Sequence, residues 1–68
     1  MKATHLETDQ NWNDETTVYW FDVNNTTYGI SDSNGEMTLV DYEGYPIDEC
    51  NDHEGIKGLL IEEIKELN

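Results

Sequence analysis

The sequence predicts an α+β fold: a three- to four-stranded antiparallel β-sheet, wound as a meander, with one C-terminal α-helix packed on one face. Three observations carry this. "TTVYWFDV" at 16–23 is rich in β-branched and aromatic residues. Asn24-Asn25 and Asn34-Gly35 are turn dipeptides set between such runs. Ile56, Leu59, Leu60, Ile64 and Leu67 recur at helical spacing.

Taken in order, residues 1–15 are the least determined. "MKATHLET" alternates weakly and is a candidate edge strand, whereas "DQNWNDE" is turn-like, with Trp12 expected to dock against the body. The run 16–23 is a strand. A two-residue turn at Asn24-Asn25 follows, because Asn tolerates positive φ. That turn pairs Phe21 with Tyr28, Tyr19 with Ile30 and Trp20 with Gly29 in the next strand, "TTYGISD". Tyr19, Phe21, Tyr28 and Ile30 then share the core face. "EMTLVDY" at 36–42 is the following strand, with two registers open. A two-residue Asn34-Gly35 turn sets Leu39 opposite Ile30, with Val40 and Tyr42 on the outer face; a three-residue turn sends Met37 and Leu39 outward. "YPID" is a short edge segment, where Pro46 is tolerated. The helix spans 51–67. Asn51 and Glu54 stand at capping-box spacing, the apolar stripe faces the sheet, and Glu62, Glu63 and Glu66 face solvent. The strands thus occupy 16–48, and the whole of 1–68 is one domain. For this length the radius of gyration expected is roughly 11 Å, which leaves room for a thin core and no deep cleft.

Charge dominates the composition. Sixteen acids oppose three lysines and no arginine, for a formal net charge of −13. Solubility alone asks for a magnitude of about 2–8 in a small domain, and self-repulsion at this density works against the compact state. Halophilic or incidental acidity is the plain alternative. Disorder is disfavoured by the 35% apolar content, and an acidic tail by the spread of the acids from Glu7 to Glu66. A single Cys excludes an internal disulfide. With no signal-peptide pattern and no long apolar run, a cytoplasmic protein without a membrane segment is expected. The Asn-x-Thr tripeptides at Asn24 and Asn25 matter only in a secretory pathway.

"DECNDHEG" at 48–55 is the densest cluster. Asp48, Glu49, Asp52 and Glu54 surround the helix start, where each carboxylate gains about 0.3–1 kcal/mol from the helix dipole; that account needs no function. A transition-metal site would take Cys50, His53 and an acid, short of the ligand set a tetrahedral centre wants. Neither this stretch nor "DSNGEMTLVDYE" has EF-hand spacing. Paired carboxylates for glycoside hydrolysis need a cleft that separates their pKa values, and Cys50 with His53 lacks an orienting third group. No enzyme, metal or cofactor is expected. "GIKG" at 55–58 has the GxxG spacing of KH loops but falls inside the predicted helix, and three lysines against sixteen acids exclude direct nucleic-acid binding.

The expectation is instead a nucleic-acid mimic. B-DNA carries one negative charge per about 1.7 Å of axis, so a protein about 28 Å across spans on the order of 16 of them. A basic groove built for a duplex would meet comparable charge here and release counterions on contact. In "TTVYWFDVNN", "SDSNGE" and "DHEGIKGLL", and in its small, arginine-poor, acidic character, the chain resembles the small acidic phage-encoded inhibitors that imitate nucleic acid. These are anti-CRISPR proteins, anti-restriction proteins and inhibitors of uracil-DNA glycosylase. The resemblance is nearest to anti-CRISPRs. It implies an inhibitor, active in the cytoplasm of a bacterial host and evading its defences, that blocks the nucleic-acid-binding surface of a basic protein, a CRISPR–Cas effector subunit first among them. An immunity-like adaptor that binds a basic partner elsewhere is the other reading. Candidate contact residues are the acids beside turns and the helix start, Asp32, Glu36, Asp41, Glu43, Asp48, Glu49, Asp52 and Glu54. Trp20, Tyr42 and Tyr45 are candidate aromatic anchors. Trp20 has a structural reading too, as cover for Gly29. An apolar patch built on it, with Val40 or Met37, would equally suit a second copy of the chain in a homodimer.

Overall fold

The computed structural model describes residues 2–13, 15–47 and 54–67. Four strands, β1 (Ala3–Asn13), β2 (Thr16–Val23), β3 (Thr26–Ser33) and β4 (Glu36–Val40), precede one helix, α1 (Glu54–Leu67). The strands form one antiparallel sheet in the order β1-β2-β3-β4, so each pairs with its neighbour in sequence. This is the predicted α+β arrangement, with four strands. The radius of gyration is 10.9 Å.

The turns set the register. Asn24 and Asn25 have φ of 52° and 65°, and Asn34 and Gly35 have φ of 53° and 89°. Two successive positive-φ residues make a type I′ turn, whose twist matches that of the flanking strands. Tyr19 pairs with Ile30, Trp20 with Gly29 and Phe21 with Tyr28, as the Asn24-Asn25 turn requires. Of the two registers open for β4, the two-residue turn is the one found, with Ile30 opposite Leu39. Asp32 Oδ1 fixes this turn by accepting the Gly35 N–H at 2.9 Å. Asn34 Nδ2 donates to Glu15 Oε2 at 3.0 Å and ties the turn to the approach to β2.

The register puts Phe21, Val23, Ile30 and Leu39 on one face, where they meet Ile56, Leu60 and Ile64 of α1, with Ala3 of β1 at the margin. Phe21, Ile30, Leu39 and Leu60 are fully buried. Tyr19, Tyr28, Met37 and Leu59 pack around this core. The opposite face carries a smaller buried cluster of Val18, Trp20 and Val40.

Four expectations need correction. "DQNWNDE" is not turn-like as far as Asn13: residues 9–13 continue β1, with Asp9 opposite Val18 and Asn13 opposite Thr16. Asp and Asn are poor strand formers, yet Asp9 and Asn13 both pair with β2, across a register shift between them. β4 stops at Val40, so Tyr42 sits in a loop and not on a strand face. Leu67 keeps the stripe's spacing but is 47% exposed, so the buried stripe ends at Ile64. Trp20 is 8% exposed and Val40 3%, so the open apolar patch expected on the second face is not found among the described residues. The expected capping residue Asn51 lies outside the described residues.

β1 holds one feature invisible in the sequence. His5 pairs with Phe21 and Glu7 with Trp20, so Leu6 is an extra residue, a β-bulge. Ala3 and His5 face the helix side; past the bulge, Glu7 and Asp9 share the face of Trp20 and Val18, their cross-strand partners. Without the extra residue Glu7 would keep the side of Ala3 and His5.

Candidate functional surface

The strand pairings assign the residues of the helix-free face directly. Around buried Val18, Trp20 and Val40 stand Glu7 and Asp9 on β1, Asp22 on β2 and Glu36 on β4. Between them lie hydroxyls: Thr4 pairs with Asp22, Asp22 with Thr27, Val18 with Ser31 and Ser31 with Thr38. None of the four strands contains Lys or Arg. The lysines are Lys2, ahead of β1, and Lys57 and Lys65 on α1. Lys65 pairs with Glu62 at 3.4 Å, both side chains exposed, an arrangement that contributes little. Every acidic side chain described is exposed or half-buried. The helix-free face is therefore a sheet surface of carboxylates and hydroxyls over an apolar floor.

Trp20 forms that floor. Its ring lies on Gly29: a Cβ built there would stand 2.9 Å from Trp20 Cε3 and Cζ3, and 2.9 Å from Val40 Cγ2. Trp20 is thus the cover for Gly29 and not a surface anchor, since its ring is spent inside the chain.

Among the described residues, the expected contact acids do not gather in one place. Asp32 and Glu36 flank the β3–β4 turn, and Asp41 and Glu43 follow the far end of β4. Roughly 14 Å of strand separates Glu36 from Val40, at about 3.4 Å per residue. Two of the four already have structural work: Asp32 holds its turn, and Asp41 holds the loop described next. Asp48, Glu49 and Asp52 lie outside the described residues, and Glu54 opens α1. Sequence reasoning missed Glu7, Asp9 and Asp22. Asp22 was readable from the register of β2, as the alternate of Phe21 and Val23; Glu7 and Asp9 reach this face through a bulge that no residue type announces.

Residues 41–47 form a compact loop. Asp41 Oδ1 accepts the N–H of Glu43 at 2.9 Å and of Tyr45 at 3.0 Å. The Asp41 N–H donates to the Tyr45 carbonyl and the Gly44 N–H to the Asp41 carbonyl, each at 2.9 Å. Gly44 turns the chain at φ 89°, in the region that glycine adopts without strain. Pro46 bridges Val40, and the Ile47 N–H donates to the Leu39 carbonyl at 3.0 Å. "YPID" therefore returns along the edge of β4 as far as Ile47, in keeping with the edge segment expected there. Tyr42 and Tyr45 project from this loop, 69% and 64% exposed.

The Tyr42 phenol is held above its ordinary value of 10.0, first by its hydrogen bond to the Glu43 carboxylate, then by partial desolvation and the charge of Asp41. A group that binds its proton more tightly when folded adds stability below its unfolded pKa, and that contribution is lost as pH rises through the folded value. Subtracting the 295 nm alkaline titration of Tyr42→Phe from that of the wild type is expected to leave a tyrosinate transition centred above 10.0. A midpoint at or below that value would show that Glu43 does not hold the phenol.

No family model, curated protein or solved structure matches the chain. The functional reading therefore rests on the surface itself. No cavity is found among the described residues, nor any group of three His, Cys, Asp or Glu side chains placed to hold a metal ion. Among the same residues no helix is long and apolar enough to cross a membrane.

Proposed function

We propose that the protein is an acidic nucleic-acid mimic, an inhibitor that presents its helix-free sheet face to the nucleic-acid-binding surface of a basic protein. The observation that carries this is the segregation of charge: four strands without Lys or Arg put Glu7, Asp9, Asp22 and Glu36 on one face of a chain of net charge −13. Along the 31 Å long axis of the molecule, B-DNA would carry about 18 phosphate charges, close to the sixteen acids here. A groove that neutralises phosphates with Lys and Arg would meet four of these carboxylates on the sheet face, with an uncharged floor between them. The target class we propose is a CRISPR–Cas effector complex, in line with the resemblance to phage anti-CRISPRs.

The test is a mobility-shift competition between the protein and a target duplex for a purified effector. The protein is expected to displace DNA at 50 mM salt and to lose on the order of 10²-fold in apparent affinity by 200 mM, as for a contact of about four charges. Neutralising the face with Glu7→Gln, Asp9→Asn, Asp22→Asn and Glu36→Gln should weaken inhibition far more than Glu62→Gln with Glu66→Gln on the helix. Undisturbed DNA binding at saturating protein, across effectors of different types, would rule the proposal out. Equal loss from the helix variant would reject the sheet face.

A further inference from the structure

The Asp41–Ile47 loop is built more tightly than an incidental connection needs. Four hydrogen bonds converge on Asp41, the Pro46 bridge and the Ile47–Leu39 hydrogen bond close the loop's base against β4, and the result displays two aromatic rings to solvent. A folded chain of this size has reason to bury its tyrosines, and Tyr19 and Tyr28 do pack against the core. Tyr42 and Tyr45 are left out, on either side of Glu43 and Gly44. Tyrosine offers large contact area for little rotamer entropy, and a rigid loop lowers the ordering cost on binding further.

We propose that this loop is the specificity anchor of the interface, with Tyr42 and Tyr45 stacking on arginine side chains of a basic protein partner while Glu43 engages a guanidinium. The occupant follows from charge and shape together. Carboxylates beside the rings favour a cation, and the chain as a whole, at −13, repels any anion. Among cations a guanidinium is the one that stacks flat on a phenol ring and also meets a carboxylate through paired N–H donors; a lysine ammonium is a hydrated point charge. Charge brings the partners together at a distance, and the rings fix where the contact forms. The inference rests on the reading above that the partner is basic, but it assigns a different part of the molecule from the acidic sheet face.

The test uses hexa-arginine and hexa-lysine peptides as probes, titrated into the full-length, isotope-labelled protein at 150 mM salt and followed by amide chemical shifts. Hexa-arginine is expected to shift residues 41–47 most, and to bind more tightly than hexa-lysine. Tyr42→Ala with Tyr45→Ala should lower hexa-arginine affinity by about 5- to 30-fold, the sum of two exposed cation–π contacts, and should erase the preference over lysine. Tyr42→Phe with Tyr45→Phe should keep both, since the ring and not the hydroxyl makes the stack. Because both side chains are exposed, thermal unfolding of the alanine variant should match the wild type, which separates lost contact from lost fold. Diffuse shifts, or hexa-arginine affinity indifferent to the alanine pair, would overturn the anchor and leave the nucleic-acid-mimic proposal to be judged on DNA competition alone.

Discussion

Phe21→Ala is expected to leave most of the chain unfolded at 25 °C. Phe21 is fully buried at the centre of the larger core, between the sheet and α1. His5 meets its ring edge-on, with centroids 5.3 Å apart. Truncating a buried Phe costs about 3–5 kcal/mol in transfer and cavity terms, and a small single-core domain seldom has more than about 3–5 kcal/mol in total. Here self-repulsion among the carboxylates draws that reserve down further. Urea unfolding followed by far-UV circular dichroism should show a cooperative transition for the wild type and little or no folded baseline for the variant. Leu67→Ala, at the exposed end of the helix, is the control and should change stability by no more than about 0.5 kcal/mol. A Phe21→Ala protein with a sharp transition within 1 kcal/mol of wild type would mean that the core is not organised around this ring.

The second expected result concerns the other face. Gly29→Ala should destabilise the fold by about 1–3 kcal/mol, the usual cost of overpacking. The new methyl would stand 2.9 Å from the Trp20 ring and from Val40 Cγ2, closer than real Cβ contacts run. Both neighbours are buried, at 8% and 3% exposure, so either must shift within packed surroundings. Alanine also suits a strand better than glycine, so propensity alone predicts the opposite sign, and the sign is diagnostic. Chemical denaturation gives the energy, and Trp fluorescence in a Trp12→Phe background reports whether the Trp20 ring is driven toward water. Unchanged or increased stability would show that the ring does not lie on Gly29.

What could be read in advance followed from local chemistry. Asn24-Asn25 and Asn34-Gly35 announced the two hairpins because few residues accept positive φ, and once the first turn is placed the pairing of Trp20 with Gly29 is forced. The helix was legible in the spacing of Ile56, Leu60 and Ile64. What escaped depends on partners distant in sequence. Asp and Asn in "DQNWN" disfavour a strand, and its two ends are held in one by pairing with β2. Asp41 has no local mark that separates a strand residue from a loop cap; the difference lies in which N–H groups its carboxylate reaches. The acidic surface was evident as a quantity but not as a place, because the bulge at Leu6 decides on which side Glu7 and Asp9 stand. Trp20, chosen for its size as an anchor, was used up by the glycine opposite, while the loop tyrosines kept their exposure.

That bulge has a bearing on how the molecules behave toward one another in concentrated solution. β1 is the sheet's long outer strand, and an unpaired strand edge is the usual template for cross-β aggregation. The extra residue at Leu6 breaks the ladder spacing after Ala3–His5, so an incoming strand finds no straight run of donors and acceptors there. Copies of this edge placed antiparallel would also set Glu7 and Asp9 against their counterparts, like charge facing like. The device that turns those two carboxylates outward thus doubles as protection against fibre formation, at the edge where the fold is most open to it.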